Sequence, residues 1–397
     1  MAAIVVTGIG VISSLGNNVQ ENFSALKSGD TGIGKAMYVN SRYADMMPFA
    51  EVRLSTEDLK KKLGINDHSI TRTQLLALHA VKEAIAHRGL TLEEATNRTT
   101  ALIVASTVGG MYLTDELYHD ANQNDDGSLY LSNYDCASVA LFLQESLGLH
   151  GFSNTINTAC SSGANAIQFG LRLIKHNLVK RAIVGGVDCL SKFTINGFNA
   201  LNILSDEPCR PFDNNRKGLN LGEGAGFLIL ERLEDAPKEK ILAVVSGHSN
   251  SNDAFHPSAL SDEGIGPVKC MQQALQTAQL KPHDIDYIST HGTGTMNNDR
   301  VEGMSLKRIF GEHIPAFISA KSIIGHTLGA ASAVESVFTV LAMQKRTAFA
   351  SRNFQSADEV AGVIPNLQVK ELAINHALLN SFGFGGNCSS LIFSAYQ

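Results

Sequence analysis

The stretch TINTACSSGANAIQFGLRLIKHN (residues 155–177) passes from a short β-branched segment through a turn of small residues into a long amphipathic helix. A second stretch, FISAKSIIGHTLGAASAVESVFTVLAMQK (residues 317–345), makes the same passage. Two such stretches in one chain indicate an internal duplication, which predicts that the segments flanking them also correspond.

Three further pairs of segments correspond in the same order along the chain. Each pair combines a short apolar run with a Gly-containing turn, the pattern of a buried strand and its loop. The pairs are AIVVTG (3–8) with LAVVSG (242–247), TALIVASTVGGM (100–111) with IDYISTHGTGTM (285–296), and RAIVGGVDCL (181–190) with ALLNSFGFGGNCSSLIF (377–393).

Alternating strands and helices predict an α/β fold with mostly parallel sheets and helices on their faces. A duplicated unit of this kind predicts two such sheets stacked in layers. The charged, Pro-containing segment ERLEDAPKEK (231–240) is typical of a boundary. We therefore expect one half over residues 1–238 and the other over residues 239–397.

Composition limits the classes of function. The 397 residues are 44% hydrophobic and 18% charged, and the net charge is -6, which argues against nucleic-acid binding. An acidic partner could still meet a local basic patch. The apolar start has no basic region of the signal-peptide type, and no long uncharged apolar run exists, so we expect a cytoplasmic protein that does not enter a membrane. The cysteines include no CxxC pair, and disulfides are not expected.

Cys160 lies between the predicted strand and the helix that follows it. Unpaired N–H groups and the positive end of the helix dipole favour a thiolate at that position, which suits a nucleophile. The local sequence is equally compatible with a small core residue packed where strand meets helix.

Polar residues occupy the corresponding loops of the second half. His291, in STHGTGT directly after a predicted strand, is suited to donate a hydrogen bond to a reacting oxygen. Considered alone, His326 fits a helix-cap residue or a structural histidine, and Lys321 with Glu335 fits an ordinary ion pair. Their joint position in the counterpart of the Cys160 loop favours a shared site, since loops at the carboxyl ends of strands converge.

Three other kinds of site fit the residues poorly. A zinc site formed by Cys160, His291 and His326 would lack any close ligand pair of the HxxxH or CxxC type. A papain-like protease would require a CGSCW-type signature, which is absent. Gly8-Ile9-Gly10 follows a strand as a dinucleotide loop does, but position 13 is Ser and no acid follows at the required distance.

Six motifs, in order, resemble those of the β-ketoacyl-acyl carrier protein synthases, the elongating branch of the thiolase-fold condensing enzymes. The resemblance covers nearly the whole chain. The motifs are VVTGIGVISSLGN (5–17), TACSSG (158–163), RPFDNNRKGLNLGEGAG (210–226), HGTGT (291–295), KSIIGHTLGAASAVE (321–335) and NSFGFGGN (380–387).

The resemblance implies a thiolase-like fold, with two duplicated βαβαβαββ halves stacked as α-β-α-β-α layers. It implies that Cys160 accepts an acyl group from the phosphopantetheine arm of an acyl carrier protein, and that the N–H groups of Cys160 and Phe384 form the oxyanion hole. His291 and His326 would bind the malonyl thioester oxygen as carbon dioxide leaves. The product would be 3-oxoacyl-acyl carrier protein, in fatty-acid or type II polyketide or polyene synthesis, with no cofactor or metal.

The same resemblance assigns supporting roles. Lys321 would act electrostatically and Glu335 would orient Lys321. Phe384, between Gly383 and Gly385, matches a mobile gate that excludes malonyl groups until Cys160 is acylated.

Further matches concern the substrate and its carrier. Thr293 and Thr295 match the residues that hydrogen-bond the pantetheine amides. Val108 falls where family members line the acyl tunnel, although a core valine explains it nearly as well. Arg210 matches a docking arginine for the acidic carrier protein, and Arg72 is a second docking candidate.

Two alternatives remain open from the sequence. One is a non-catalytic chain-length subunit that dimerises with a true synthase, although such subunits lack the nucleophile. The other is a thiolase or priming synthase that uses coenzyme A, although those enzymes have different catalytic sets. The segments SDEPC (205–209) and HPSALSD (256–262) depart from the family pattern near the carrier-arm entrance, so the pathway is not specified. We expect a homodimer, with a heterodimer as the alternative.

Overall fold

A computed structural model describes residues 3–124, 127–128 and 130–396. The strands in these residues are β1 (Ile4–Ser13), β2 (Thr100–Ala105), β3 (Ser153–Ile156), β4 (Arg181–Asp188), β5 (Gly224–Arg232), β6 (Ala243–Asn252), β7 (Tyr287–Ser289), β8 (Ala316–Ile318), β9 (Thr347–Ala348), β10 (Lys370–Glu371), β11 (His376–Phe382) and β12 (Asn387–Ser394).

The helices in the same residues connect these strands. They are α1 (Val19–Ser28), α2 (Thr56–Leu63), α3 (Arg72–Arg88), α4 (Leu92–Thr96), α5 (Thr114–Gln123), α6 (Leu131–Tyr134), α7 (Ala137–Leu147), α8 (Ser162–Lys175), α9 (Lys192–Ala200), α10 (Ile265–Ala278), α11 (Met296–Phe310), α12 (Lys321–Ile324) and α13 (Ala331–Gln344). Throughout the described part of the chain, no helix is both long enough and apolar enough to cross a bilayer.

The strand order repeats the duplication seen in the sequence. The large sheet has the order β3-β2-β4-β5-β1-β6-β12-β11-β7-β8. Apart from the separate two-stranded sheet of β9 and β10, each half contributes five strands, and from the outer edge inward both halves follow the order third, second, fourth, fifth, first. The strand directions match as well, because β2 is parallel to its two neighbours and so is β7, while the remaining pairs are antiparallel. The expectation of mostly parallel sheets is therefore wrong, because the two strands nearest the centre in each half pair antiparallel with their neighbours.

The two halves meet at the centre of the sheet. There β1 and β6 pair antiparallel through only two residue pairs, Val5 with Val244 and Val6 with Ala243. The two sheets expected from the sequence are therefore joined along one edge. This short joint leaves each five-stranded part free to twist away from the other.

Helices cover the sheet in the predicted layers. The long helices α8 and α13 contact each other and pack against strands of both halves, while α3 covers β1 and β5 and α10 covers β6 and β12 on the outer faces. Three apolar clusters match these layers: one around α8 and α13, one under α3 and one under α10. The thiolase-like α-β-α-β-α fold is thereby confirmed.

Glycines set the closest contacts between layers. A Cβ atom on Gly163, in the first turn of α8, would lie 2.6 Å from the backbone nitrogen of Ala333 on α13. A Cβ atom on Gly10 would lie 2.1 Å from the Ala80 carbonyl oxygen of α3. The glycines of Gly8-Ile9-Gly10 therefore belong to a strand that packs against a helix, and not to a dinucleotide loop.

We predict that Gly163→Ala lowers the free energy of unfolding by about 1–3 kcal/mol, because two helix backbones must separate to admit the methyl group. Gly197→Ala in α9 is the matched control, since its Cβ atom would meet no atom within 4 Å; it should raise stability by up to about 1 kcal/mol. Urea unfolding of both variants measures the difference. Equal effects of the two substitutions would contradict the role assigned to the α8–α13 contact.

Candidate active site

Cys160 lies in the turn between β3 and α8, two residues before the helix begins. The preceding residue, Ala159, has a left-handed backbone with φ of 54°. Three hydroxyl groups stabilise this turn: Ser162 accepts from the Thr158 N–H at 2.8 Å, Ser161 donates to the Thr158 carbonyl at 2.8 Å, and Ser381 donates to the Cys160 carbonyl at 3.0 Å. The small residues of TACSSG thus present a buried thiol at the start of a helix.

His326 contacts the thiol directly, with its Nε2 atom 3.1 Å from the Cys160 Sγ atom. Its Nδ1 atom accepts a hydrogen bond from the Leu328 N–H at 3.0 Å, so the ring proton of the neutral form is on Nε2. Burial, with the nearby charge of Lys321, lowers the pKa of His326 well below its ordinary value. The imidazole is therefore neutral and donates from Nε2.

His291 lies edge-to-face with His326, with ring centroids 5.6 Å apart. The backbone N–H groups of His291 and Gly292 donate to the two carboxylate oxygens of Glu302, at 2.9 and 2.8 Å. Burial and the charge of Lys321 hold the pKa of His291 well below its ordinary value, so this ring is also neutral. Two neutral imidazoles thus converge beside the thiol.

Lys321 and Glu335 form a buried ion pair, with Nζ 2.6 Å from Oε1 and about 1% of each side chain exposed. Burial raises the pKa of Glu335, while the Lys321 charge opposes this shift. Lys321 is the first residue of α12, and Glu335 lies in the second turn of α13. It places one positive charge close to Cys160 and both histidines.

The protonation state of Cys160 differs from the sequence expectation. Burial raises the pKa of the thiol to about 11, although the charge of Lys321 and a hydrogen bond from the Phe384 N–H lower it. The helix start favours the thiolate, but removal from water has the larger effect. In the resting site the sulfur therefore carries its proton.

A cavity of about 340 Å³ leads from these residues to the surface. Cys160, His291 and His326 line it, as do Thr293 and Thr295, whose hydroxyl oxygens lie 2.8 Å apart. The structure thus brings five of the predicted residues to one channel. A channel with apolar walls and a few hydroxyl groups suits an extended arm that carries amides.

Phe384 and Gly383 also line the cavity. The Phe384 ring stacks on Phe198 with centroids 5.9 Å apart and 17° between the planes. Gly385 has φ of 82° and is exposed, and its N–H donates to the Pro257 carbonyl at 2.7 Å. The segment expected to act as a gate is therefore in contact with the HPSALSD loop, whose residues Ser258 to Leu260 line the same cavity.

Three predicted residues lie elsewhere. Val108 is fully buried in the apolar cluster under α3 and does not line this cavity. Arg210 is at the surface, where it pairs with Glu207 at 2.9 Å. Arg72 is 2% exposed and bound to Glu223 through two nitrogen atoms, so the prediction that it docks a carrier protein is wrong. An arginine that neutralises a buried carboxylate cannot turn outward without leaving that charge unpaired.

Buried carboxylates were missed by the sequence reasoning. Asp299 accepts from the N–H groups of Thr293, Gly294 and Phe212, and Glu302 accepts from those of His291 and Gly292. Burial raises the pKa of Glu302 to about 7. Both acids lie three residues apart on the inward face of α11, a helical spacing that could have identified them.

The residue types at the centre would also suit a metal ion. The ligand atoms of Cys160, His291 and His326 lie within 4.8 Å of one another. Neutral imidazoles and a sulfur atom are ligands that Zn²⁺ accepts. The ammonium group of Lys321, which is paired with Glu335, opposes a divalent cation at this site by Coulomb repulsion.

Comparison with known proteins gives one consistent family. The model of the beta-ketoacyl synthase N-terminal domain matches residues 1–236, and that of the C-terminal domain matches residues 242–355. The 3-oxoacyl-[acyl-carrier-protein] synthase 2 of Coxiella burnetii is 34% identical, covering 98% of both chains, and that of Rhizobium meliloti is 33% identical, covering 100% of this chain and 99% of the relative.

Solved structures show the same fold over the full length. The ishigamide ketosynthase/chain length factor has a TM-score of 0.91 at 28% identity, and covers 100% of both chains. A type II polyketide synthase acyl-carrier protein in complex with its ketosynthase bound to the hexaketide has a TM-score of 0.87 at 26% identity, again over 100% of both chains.

We predict that the alkylation of Cys160 by iodoacetamide accelerates about tenfold per pH unit from about pH 7 to about pH 9, because the thiolate is a minor species throughout that range. The pKa of about 11 is above this window, so no plateau is expected within it. Mass spectrometry of the Cys160 peptide measures the rate. The control is a model thiol with a pKa of about 8.5, whose alkylation rate levels off near pH 9. A similar plateau at Cys160 would show that the helix N-terminus lowers the pKa of the thiol more than burial raises it.

Proposed function

The chain belongs to the β-ketoacyl synthase family, and from that premise we propose that Cys160 carries the growing acyl chain of a 3-oxoacyl-acyl carrier protein synthase. The enzyme is an acyltransferase that joins a malonyl unit to that acyl group with loss of carbon dioxide. The observation that carries the proposal is the contact of 3.1 Å between the Cys160 sulfur and the donor nitrogen of a neutral histidine.

The first step is acyl transfer. The Cys160 sulfur attacks the thioester carbon of the acyl carrier protein, and the pantetheine sulfur leaves with the proton that Cys160 gives up. The positive charge of Lys321 and the N–H of Phe384 lower the pKa of the thiol, so both stabilise the thiolate as it forms. The N–H groups of Cys160 and Phe384 then stabilise the oxyanion of the tetrahedral intermediate.

The second step uses the two imidazoles. A malonyl thioester in the channel places its carbonyl oxygen near His291 and His326, whose neutral rings donate hydrogen bonds to it. Carbon dioxide leaves, and the electron pair of the broken bond becomes an enolate that these donors stabilise. The enolate carbon attacks the acyl-Cys160 carbonyl, the carbon–carbon bond forms, and the thiolate of Cys160 is released.

The remaining groups orient the substrate. Thr293 and Thr295 bind the amides of the pantetheine arm, and Lys321 with Glu335 sets the charge beside the donors. Phe384, Gly383 and Gly385 form the gate, because glycine on both sides of Phe384 makes its backbone movement inexpensive. Val108 is assigned to the acyl tunnel only if acylation opens the apolar core beside it. All reacting groups belong to the protein or substrates, so the reaction uses no cofactor.

The partners follow from the same chemistry. The carrier protein supplies both thioesters and docks beside Arg210, the surface cation that the family resemblance assigns to this contact. A second copy of the chain completes the homodimer we propose, and a chain-length subunit is the alternative partner. The chain itself is not such a subunit, since Cys160 and both donors are in place. We infer a cytoplasmic location because the nucleophilic thiol must stay reduced, and the six cysteines of the chain are free thiols.

We propose that the two halves act as one catalytic unit and divide near residue 238. The short turn Lys238–Lys240 lies between β5 and β6 at that point. Neither half is sufficient alone, because the nucleophile belongs to the first half and the donors to the second.

The decisive experiment is intact-protein mass spectrometry after incubation with acyl carrier proteins that bear short, medium and long acyl groups. An acyl adduct is expected on the wild-type chain and absent from Cys160→Ala. If every acylated carrier leaves the wild-type mass unchanged, the proposed function fails. The chain length that gives the fastest adduct formation identifies the preferred substrate.

We also predict that His291→Ala and His326→Ala still accept an acyl group on Cys160 but release carbon dioxide from malonyl carrier protein about 10²- to 10³-fold more slowly, because each removes a donor to the enolate oxygen. Labelled carbon dioxide measures the step. His283→Ala is the control, since 75% of that side chain is exposed. Equal losses in acylation and decarboxylation would contradict the assigned roles, once thermal unfolding shows that the variants are folded.

A further inference from the structure

Lys217, which lines the cavity, and the neighbouring Arg210 share one acid. Glu207 Oε1 lies 2.6 Å from Lys217 Nζ, and Glu207 Oε2 lies 2.9 Å from Arg210 Nη2. Lys217 lines the cavity, and 56% of its side chain is exposed. Both cations next to the channel are therefore already paired within the chain.

Hydrogen bonds of its backbone groups hold Glu207 in place. Its N–H donates to the Ser205 hydroxyl at 3.1 Å, and its carbonyl accepts from the Asn220 side chain at 3.0 Å. Asn220 is buried and also accepts from the Cys209 N–H at 2.7 Å. The SDEPC segment thus holds the Glu207 carboxylate between the two cations.

The charges of this surface cancel. Arg210 and Lys217 contribute two positive charges, and Glu207 and Asp206 contribute two negative ones. The contacts with Lys217 and Arg210 lower the pKa of Glu207, and Glu207 together with Asp206 raises the pKa of Lys217, so the Glu207–Lys217 pair is charged at neutral pH. These four side chains together therefore supply no net attraction for an acidic partner.

Apolar side chains occupy the same rim. Leu201 and Met296 both line the cavity, and they are 51% and 50% exposed. They belong to different halves of the chain, one directly after α9 and one at the start of α11. The mouth therefore offers a partner apolar contact on two sides, with the charged group beside it neutralised.

This inference rests on the proposed function. We propose that Glu207 masks Arg210 and Lys217, so that the chain selects its carrier protein through apolar contacts at Leu201 and Met296 and not through negative charge. Rim charges mainly control the rate of encounter and its salt dependence, whereas buried apolar contacts act at any ionic strength. Glu207 is then a specificity residue, and its removal should widen the range of accepted carriers.

The test compares kcat and KM for acyl transfer from an acidic acyl carrier protein bearing an octanoyl group, at low and at high ionic strength. Glu207→Gln is expected to lower KM about threefold at low ionic strength, and the gain should disappear at high ionic strength. Leu201→Gln is expected to raise KM equally at both. Glu312→Gln, an exposed acid after α11, is the matched control.

Octanoyl-pantetheine, which has no protein surface, separates docking from chemistry, and the Glu207→Gln gain should be absent with it. A KM that is unchanged or raised in Glu207→Gln overturns the masking role. A steep salt dependence of KM in the wild-type chain does so as well. If octanoyl carrier and every other carrier leave no adduct on Cys160, the proposed function fails instead, so the two failures are distinguishable.

Discussion

The contact between α8 and α13 fixes the distance between the nucleophile and its donors. The helices approach closely at Gly163, and the Ala164 N–H donates to the Ser332 hydroxyl at 2.8 Å across the contact. Each helix follows directly from a loop with reactive groups, Cys160 before α8 and His326 before α13. Because both helices are buried between strands of the two halves, neither loop can shift without disturbing the central core.

Buried carboxylates then determine the shape of the loops. Asp188, at the end of β4, accepts from the N–H groups of Thr107 and Val108 in the first half and of Gly329 in the second. Asp299 and Glu302 do the same for the HGTGT loop. A buried acceptor that loses its donors incurs a large desolvation cost, so these acids hold their loops more firmly than exposed hydrogen bonds would. The geometry of the site thus depends on residues that never contact substrate.

The sequence predicted what depends on local pattern and on order. The duplication predicted the matching strand orders. The positions of Cys160 and His326 before equivalent helices predicted that these two side chains lie close together. The sequence did not predict which residues pair with each other when they lie far apart in the chain. Arg72 is an example, because no local pattern reveals that this docking candidate is paired with Glu223, 151 residues away in the chain. The burial of Val108 and of Cys160, and with it the raised pKa of the Cys160 thiol, could not be predicted for a related reason, since burial depends on which elements cover a residue and not on its neighbours in the chain.

Burial also explains why a site built from neutral donors suits this reaction. Lys321 and Glu335 cancel, both imidazoles are neutral and Cys160 carries its proton, so these five groups together carry no net charge before the reaction. At the reacting atoms a negative charge develops when the enolate or the tetrahedral oxyanion forms. Hydrogen-bond donors aimed at that point then interact far more strongly with the transition state than with the neutral thioester, and the low polarity of the site strengthens the difference. The burial that disfavours the thiolate therefore helps the site to stabilise the enolate and the oxyanion selectively. The positive charge of Lys321 lies close enough to stabilise both of these species.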